Sequence, residues 1–130
     1  MTINILVVDD SAVMRSMIIK TIKLCGIGIG EIYEAANGRE GLEVLKNEWL
    51  DLLFVDVNMP VMDGMEMLDR IRENPDTKDL PVLIVSTESN KDRIKIIDRQ
   101  NAGFVHKPFT PEVLRGKILE MLGVLEQGEL

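Results

Sequence analysis

Ile3-Asn4-Ile5-Leu6-Val7-Val8-Asp9-Asp10-Ser11 is the stretch that decides how the chain is read. Apart from Asn4, residues 3–8 are all apolar, so the segment offers water no polar face. A strand covered on both sides, as in a parallel sheet, is the structure that suits it. The apolar run stops at two carboxylates, and Ser11 is well suited to cap a following helix. Behind it Met14, Ile18, Ile22 and Cys25 recur at helical spacing, and Gly26 supplies a C-terminal stop.

The same unit repeats downstream. Glu31 to Ala36 predicts a second strand, and Asn37 with Glu40 resembles a capping box opening a helix through about Lys46. Leu52 to Val57 is a third apolar run with Asp56 near its end. Met59 to Gly64 reads as a loop before a helix that carries Leu68 and Ile71. Pro81 to Val85, ending at Ser86-Thr87-Glu88, predicts the fourth strand, and Ser89 to Asp92 starts a helix with Ile94 and Ile97 inward. Phe104 to His106 is a short fifth strand, with Phe104 and His106 expected on its outer face. After Lys107-Pro108, Thr110 caps a last helix, Pro111 takes its first position, and Leu114, Ile118, Met121 and Leu122 face inward. Five alternations of strand and helix predict an α/β domain, a central parallel sheet with helices on each face. The run Gly26-Ile27-Gly28-Ile29-Gly30 follows a helix and lacks dinucleotide-loop spacing, so it reads as a flexible connection.

A length of 130 residues fits one domain able to bury a core without disulfide or structural metal. With 4% aromatic residues and eight Met, that core is expected to be aliphatic. The single cysteine, Cys25, excludes an intramolecular disulfide and reads as a buried thiol. The first residues lack the features of a signal peptide, and no apolar run approaches the ~20 residues that span a bilayer. A cytoplasmic protein is expected. A net charge of −7 weighs against nucleic acid and anionic membrane as partners.

The polar residues carry the functional signal. Asp9 and Asp10 follow the first strand, Asp56 the third, Ser86 the fourth and Lys107 the fifth. In a parallel sheet these ends point one way, and open α/β sheets bind ligands at that edge. Three carboxylates brought together repel unless a cation compensates them. An all-oxygen site with free positions suits Mg²⁺, which shares phosphate oxygens readily. Lys107 adds a fixed positive charge and Ser86 a hydroxyl donor, a combination fit for a phosphoryl group.

From Ile3 to about Leu122 the chain resembles the receiver domains of two-component response regulators, most of all the stand-alone chemotaxis type. The resemblance is carried by Leu6-Val7-Val8-Asp9-Asp10-Ser11, Phe54-Val55-Asp56-Val57-Asn58-Met59-Pro60 with Asp63-Gly64, Ile84-Val85-Ser86, and Lys107-Pro108-Phe109. It implies a flavodoxin-like (CheY-like) three-layer α/β/α sandwich with strand order 2-1-3-4-5 and five helices. Residues 1–122 would form the receiver and residues 123–130 a short, fraying tail without an output domain. Asp56 would accept a phosphoryl group from a phosphohistidine of a sensor histidine kinase. Asp9, Asp10, Asp56 and the backbone carbonyl of Asn58 would hold Mg²⁺. Lys107 would pair with the carboxylate and then with the phosphoryl oxygens, across a cis Lys107-Pro108 bond. Ser86 would move toward the phosphoryl group and Phe104 would follow it inward. Asn58 and Glu88 would tune dephosphorylation. The target-binding face would include Lys91, Arg93, Phe104, His106 and Lys117, on a protein expected to be a monomer. One departure stands out: many relatives have Gly-Ala where this chain has Gln100-Asn101, which puts that turn's shape in question.

Other classes fit less well. An aspartate-nucleophile phosphatase would also use Mg²⁺, but it needs a second acid two residues after the nucleophile, where Asn58 stands. A transcription factor would need a DNA-binding domain after Leu122, where eight residues follow. The expected protein is therefore a switch that catalyses only its own phosphotransfer and dephosphorylation. Its target would be a flagellar motor component or, in a phosphorelay, a phosphotransfer protein.

Overall fold

The computed structural model describes residues 2–123. Of the expected C-terminal tail, 123–130, residues 124–130 lie outside the described residues. Strand β1 (Ile3–Val8) pairs in parallel with β2 (Ile29–Ala35) on one side and β3 (Leu52–Val55) on the other. Strands β4 (Val82–Ser86) and β5 (Gly103–His106) extend the sheet beyond β3, giving the order β2-β1-β3-β4-β5. Helices α1 (Ala12–Leu24), α2 (Gly38–Asn47), α3 (Gly64–Glu73), α4 (Lys91–Arg99) and α5 (Pro111–Met121) alternate with the strands. The expected three-layer sandwich is the one found.

The two-residue period of the strands divides the core. Ile5, Val7, Leu52, Phe54, Leu83, Val85 and Val105 pack with Ile18 and Ile22 of α1 and Leu114 and Ile118 of α5. Their neighbours Leu6, Val8, Leu53, Val55, Val82 and Ile84 pack with Met67, Leu68 and Ile71 of α3 and Ile97 of α4. Each such aliphatic side chain contributes roughly 1.5–3 kcal/mol on burial, so both faces hold the sheet in place. Cys25 is buried and unpaired; its thiol donates to the Thr21 carbonyl, and burial pushes its pKa up.

Every helix begins with a short polar cap. Ser11, Asn37, Asp63, Asn90 and Thr110 each accept a hydrogen bond from an amide of the first turn. Each such cap stabilises its helix by about 1 kcal/mol. All five caps terminate strand-to-helix loops, so the loops along one edge of the sheet are fixed by side chains as well as by packing.

Several boundaries differ from the sequence expectation for physical reasons. Strand β2 starts at Ile29, inside the glycine-rich run read as a flexible connection. The Ile3 amide bonds to the Gly28 carbonyl at 3.0 Å, and the Asn4 side chain accepts from the Glu31 amide at 2.8 Å. A Cβ on Gly30 would collide with that Asn4 oxygen, so glycine permits the close approach. Strand β3 stops at Val55, leaving Asp56 and Val57 in the following loop. On α4 only Ile97 is fully buried; Ile94 lies partly exposed on the groove side. Phe104, expected on an outer face, is half-buried against the α3–α4 side of the core, whereas His106 is exposed.

The Gln100-Asn101 turn resolves without glycine. Gln100 caps α4, and Asn101 adopts φ 58°, a left-handed conformation that Asn tolerates. Arg72 of α3 locks this turn: its guanidinium donates to the carbonyls of Gln100 (2.7 Å), Asn101 (3.4 Å), Lys78 (3.0 Å) and Leu80 (2.8 Å). The Gln100 side-chain amide also donates to Asp69. Replacing Arg72 with Met leaves several carbonyls without a donor and is expected to cost about 2 kcal/mol in urea unfolding. A loss under about 0.5 kcal/mol would show that water replaces the guanidinium freely.

Candidate functional site

Sheet register assembles the site. Val8 of β1 lies opposite Val55 of β3, and the Asp56 amide donates to the Val8 carbonyl at 3.0 Å. Asp9 and Asp56 therefore leave the sheet side by side, on either side of the reversal in strand order. On the other flank Ser86 pairs with His106, and the Lys107 amide donates to the Ser86 carbonyl at 2.8 Å. Lys107 thus enters from β5, across β4, toward the acids. The Lys107-Pro108 bond is cis, as expected.

The resulting cluster is tight. Asp9, Asp10 and Asp56 each present a carboxylate oxygen within 4.8 Å of the other two. Lys107 Nζ lies 3.3 Å from Asp9 Oδ2 and 3.7 Å from Asp56 Oδ1. Asp9 is 2% exposed and Asp56 9% exposed, whereas Asp10 faces solvent. Burial is the main cause that raises the Asp56 pKa above its ordinary value; Lys107 opposes it, and the neighbouring Asp9 charge adds to it. The Val57 amide, which favours the ionised form, recovers part of this, and Asp10 adds a smaller repulsion.

The donor set fits a hard divalent cation. It consists of oxygens alone, one wall opens to water through Asp10, and the charges lack enough compensation from Lys107 by itself. The main-chain carbonyl of Asn58 accepts no hydrogen bond among the described residues and is available as a further ligand.

Two residues shape the site without having been singled out for it by sequence. Arg15 Nη1 donates to the Asp9 carbonyl at 2.7 Å while its Nε bonds Glu34 at 2.9 Å, which ties the end of β1 to α1 and β2. Its only signal in the sequence is its place four residues beyond the Ser11 cap. Gly64 is the second: a Cβ there would run into the Asp56 carbonyl, and its amide donates to Val57 at 2.8 Å. The motif contained this glycine, but the backbone contact explains why it is needed. The loop between β3 and α3 also holds Val61, a β-branched residue at φ 69° and 73% exposed. Such a conformation is costly for valine, and no spacing rule points to it.

The remaining expected residues are spread around this centre. Ser86 is fully buried, and its Oγ accepts from the Glu88 amide at 3.1 Å, with no bond to a site carboxylate. Glu88 bonds Arg93 at 3.0 Å, and hydrogen bonds, foremost from the Asn90 amide, lower its pKa. Asn58 is exposed beside Asp56. Lys91, Arg93 and His106 are exposed, and Lys117 pairs with Glu120 at 3.2 Å. Phe104 and Lys117, with Ile94 and Ile97, border a shallow groove of about 360 Å³ between α4 and α5.

Residues 5–119 match the family model described as the response regulator receiver domain. The chain belongs to that family. The receiver is 39% identical over 124 residues to a chemotaxis protein CheY homolog of Campylobacter jejuni, covering 92% of each chain. It is 38% identical over 118 residues to the chemotaxis protein CheY of Pseudomonas aeruginosa, covering 88% of this chain and 92% of that one. The solved structure of the chemotaxis response regulator CheY4 of Vibrio cholerae superposes with a TM-score of 0.81 at 33% identity, covering 94% of this chain and all of that one. No helix among the described residues is long and apolar enough to cross a membrane.

The pKa of Asp56 sets a test of the site's electrostatics. A carboxyl whose folded pKa is raised contributes stability that is complete below its unfolded value, near 3.8, and is lost as pH rises through the folded value. In metal-free buffer Asp56→Asn is therefore expected to melt higher than wild type at pH 7, by about 1 kcal/mol, with the difference shrinking toward pH 4. Melting curves across that range give the answer, and a mutant less stable at pH 7 would show that the carboxylate is well compensated.

Proposed function

We propose that this response regulator is a phosphorylation switch in which Asp56 accepts a phosphoryl group from the phosphohistidine of a sensor kinase. The supporting observation is the convergence of Asp9, Asp10, Asp56 and Lys107 on one sheet edge. In the transfer an Asp56 carboxylate oxygen bonds to phosphorus as the nitrogen–phosphorus bond breaks, and the imidazole leaves with its electron pair. The nucleophile must be ionised, so Lys107, the strongest influence lowering its pKa, prepares it for attack.

Asp9, Asp10, Asp56 and the Asn58 carbonyl would hold Mg²⁺, which when bound neutralises carboxylate and phosphoryl charge together. Lys107 needs only a small change of direction to pair with a phosphoryl oxygen on Asp56. Doing so removes its 3.3 Å contact with Asp9 and shifts charge toward β5. The Ser86 hydroxyl, buried next to Lys107 across the β4–β5 pair, would sense that shift, with Phe104 two residues before His106 on the same strand. The switched output is altered affinity for a target protein at the α4–β5–α5 face. The relatives' names support chemotaxis as the setting, with a motor component as the target.

The chain in this role turns over no external substrate; it catalyses its own phosphotransfer and dephosphorylation. Asn58, an amide two residues from the acceptor, cannot serve as a proton shuttle for ester hydrolysis.

Acetyl phosphate with Mg²⁺ is expected to add one labile phosphoryl group, read by intact mass, and Asp56→Asn to abolish the gain. Equal modification of the mutant would move the acceptor elsewhere. Lys107→Ala is expected to remain phosphorylatable, at a rate reduced by about ten-fold or more, and to lose the change in target affinity. Normal switching in that variant would remove Lys107 from the coupling.

A further inference from the structure

We propose that Glu88 and Arg93 are positioning residues for Ser86, a latch that holds the serine hydroxyl in its resting place and must loosen for Asp56 phosphorylation to be sensed. This rests on the phosphorylation-switch reading of the same site.

The latch is a chain of hydrogen bonds running from the buried end of β4 to the first turn of α4. The Glu88 amide donates to Ser86 Oγ at 3.1 Å. The Glu88 side chain is held from two sides, by the Asn90 amide at 2.9 Å and by Arg93 Nη1 at 3.0 Å. The Asn90 side chain in turn accepts from the Asp92 amide at 2.9 Å and the Arg93 amide at 3.1 Å, which fixes the start of α4. Ser86 is fully buried, and Glu88's side chain is 14% exposed, so neither partner is freely replaced by water. Arg93's is 50% exposed and forms the releasable end.

Two consequences follow for the hydroxyl. As long as Glu88 stays in place, its amide keeps Ser86 Oγ engaged as an acceptor. Moving Ser86 onto a phosphoryl oxygen takes that acceptor away, so the Glu88 loop must rearrange at the same time. Energy holding Glu88 on Arg93 is then energy favouring the resting state, because an interaction made in one state alone shifts the balance between two. Arg93 also lies on the exposed face proposed for the target. A partner carboxylate that captured this guanidinium would release Glu88, so target binding and phosphorylation would favour the same state.

Beryllofluoride with Mg²⁺, a phosphoryl mimic, is the probe, titrated by calorimetry on the whole chain. An ion pair this exposed predicts that Arg93→Gln binds the mimic roughly two- to five-fold tighter than wild type. Glu88→Gln is expected to tighten binding similarly, the double variant to gain nothing beyond either single one, and Arg93→Lys to fall between. Simple electrostatics predicts the opposite sign for Arg93→Gln, since removing a cation weakens anion binding. Unchanged or weaker binding by Arg93→Gln, or gains that add in the double variant, would overturn the latch. Asp56→Asn provides the control without binding. A wild-type chain that fails to bind the mimic would instead overturn the phosphorylation switch on which the latch depends.

Discussion

Like charges at the ends of adjacent parallel strands cannot relieve their repulsion by moving apart, because the ladder that aligns Val8 with Val55 also fixes Asp9 beside Asp56. The acidic cluster follows from that confinement. The apolar strands supply the rigidity, buried on both faces by helices. Lys107 arrives from β5 to compensate part of the charge, and its Nζ is shared between two acids. The remaining imbalance makes the pocket receptive to a cation and to a group that brings its own counterions.

Much of this was legible in the residues. The apolar runs ending in Asp9-Asp10, Asp56, Ser86 and Lys107 announced both the sheet and the edge where the three acids and the lysine meet. Periodicity sufficed because the strands are buried on both faces and the helices on one. The caps at Ser11, Asn37 and Thr110 were readable too, since a short polar side chain before an apolar helix has few other uses. The family resemblance supplied the strand order, which alternation alone left open.

What escaped the sequence depends on contacts between distant segments. Gly64 is required by the Asp56 carbonyl that it touches, a close approach no local pattern encodes. Arg15 looks like any charged residue on a helix until the chain folds and its guanidinium reaches the Asp9 carbonyl. The glycine-rich run that leads into β2 is organised by the Asn4 side chain from the neighbouring strand, a contact its own composition does not encode. Alternation points Phe104 outward, yet both faces of this sheet are covered, and the α3–α4 layer half-encloses it.

The guanidinium of Arg72 has a mechanical consequence. It gathers two stretches of backbone, 78–80 and 100–101, at the C-terminal end of α4, whereas the opposite end is held by the Asn90 cap and the half-exposed Glu88–Arg93 ion pair. A rod clamped at one end rotates rather than slides. Its nine residues span about 13 Å, so a tilt of roughly ten degrees about Gln100 would move the Asn90 end by about 2 Å. The end of α4 nearer Ser86 is thus fastened by side chains of its own segment, and the far end by a guanidinium from α3.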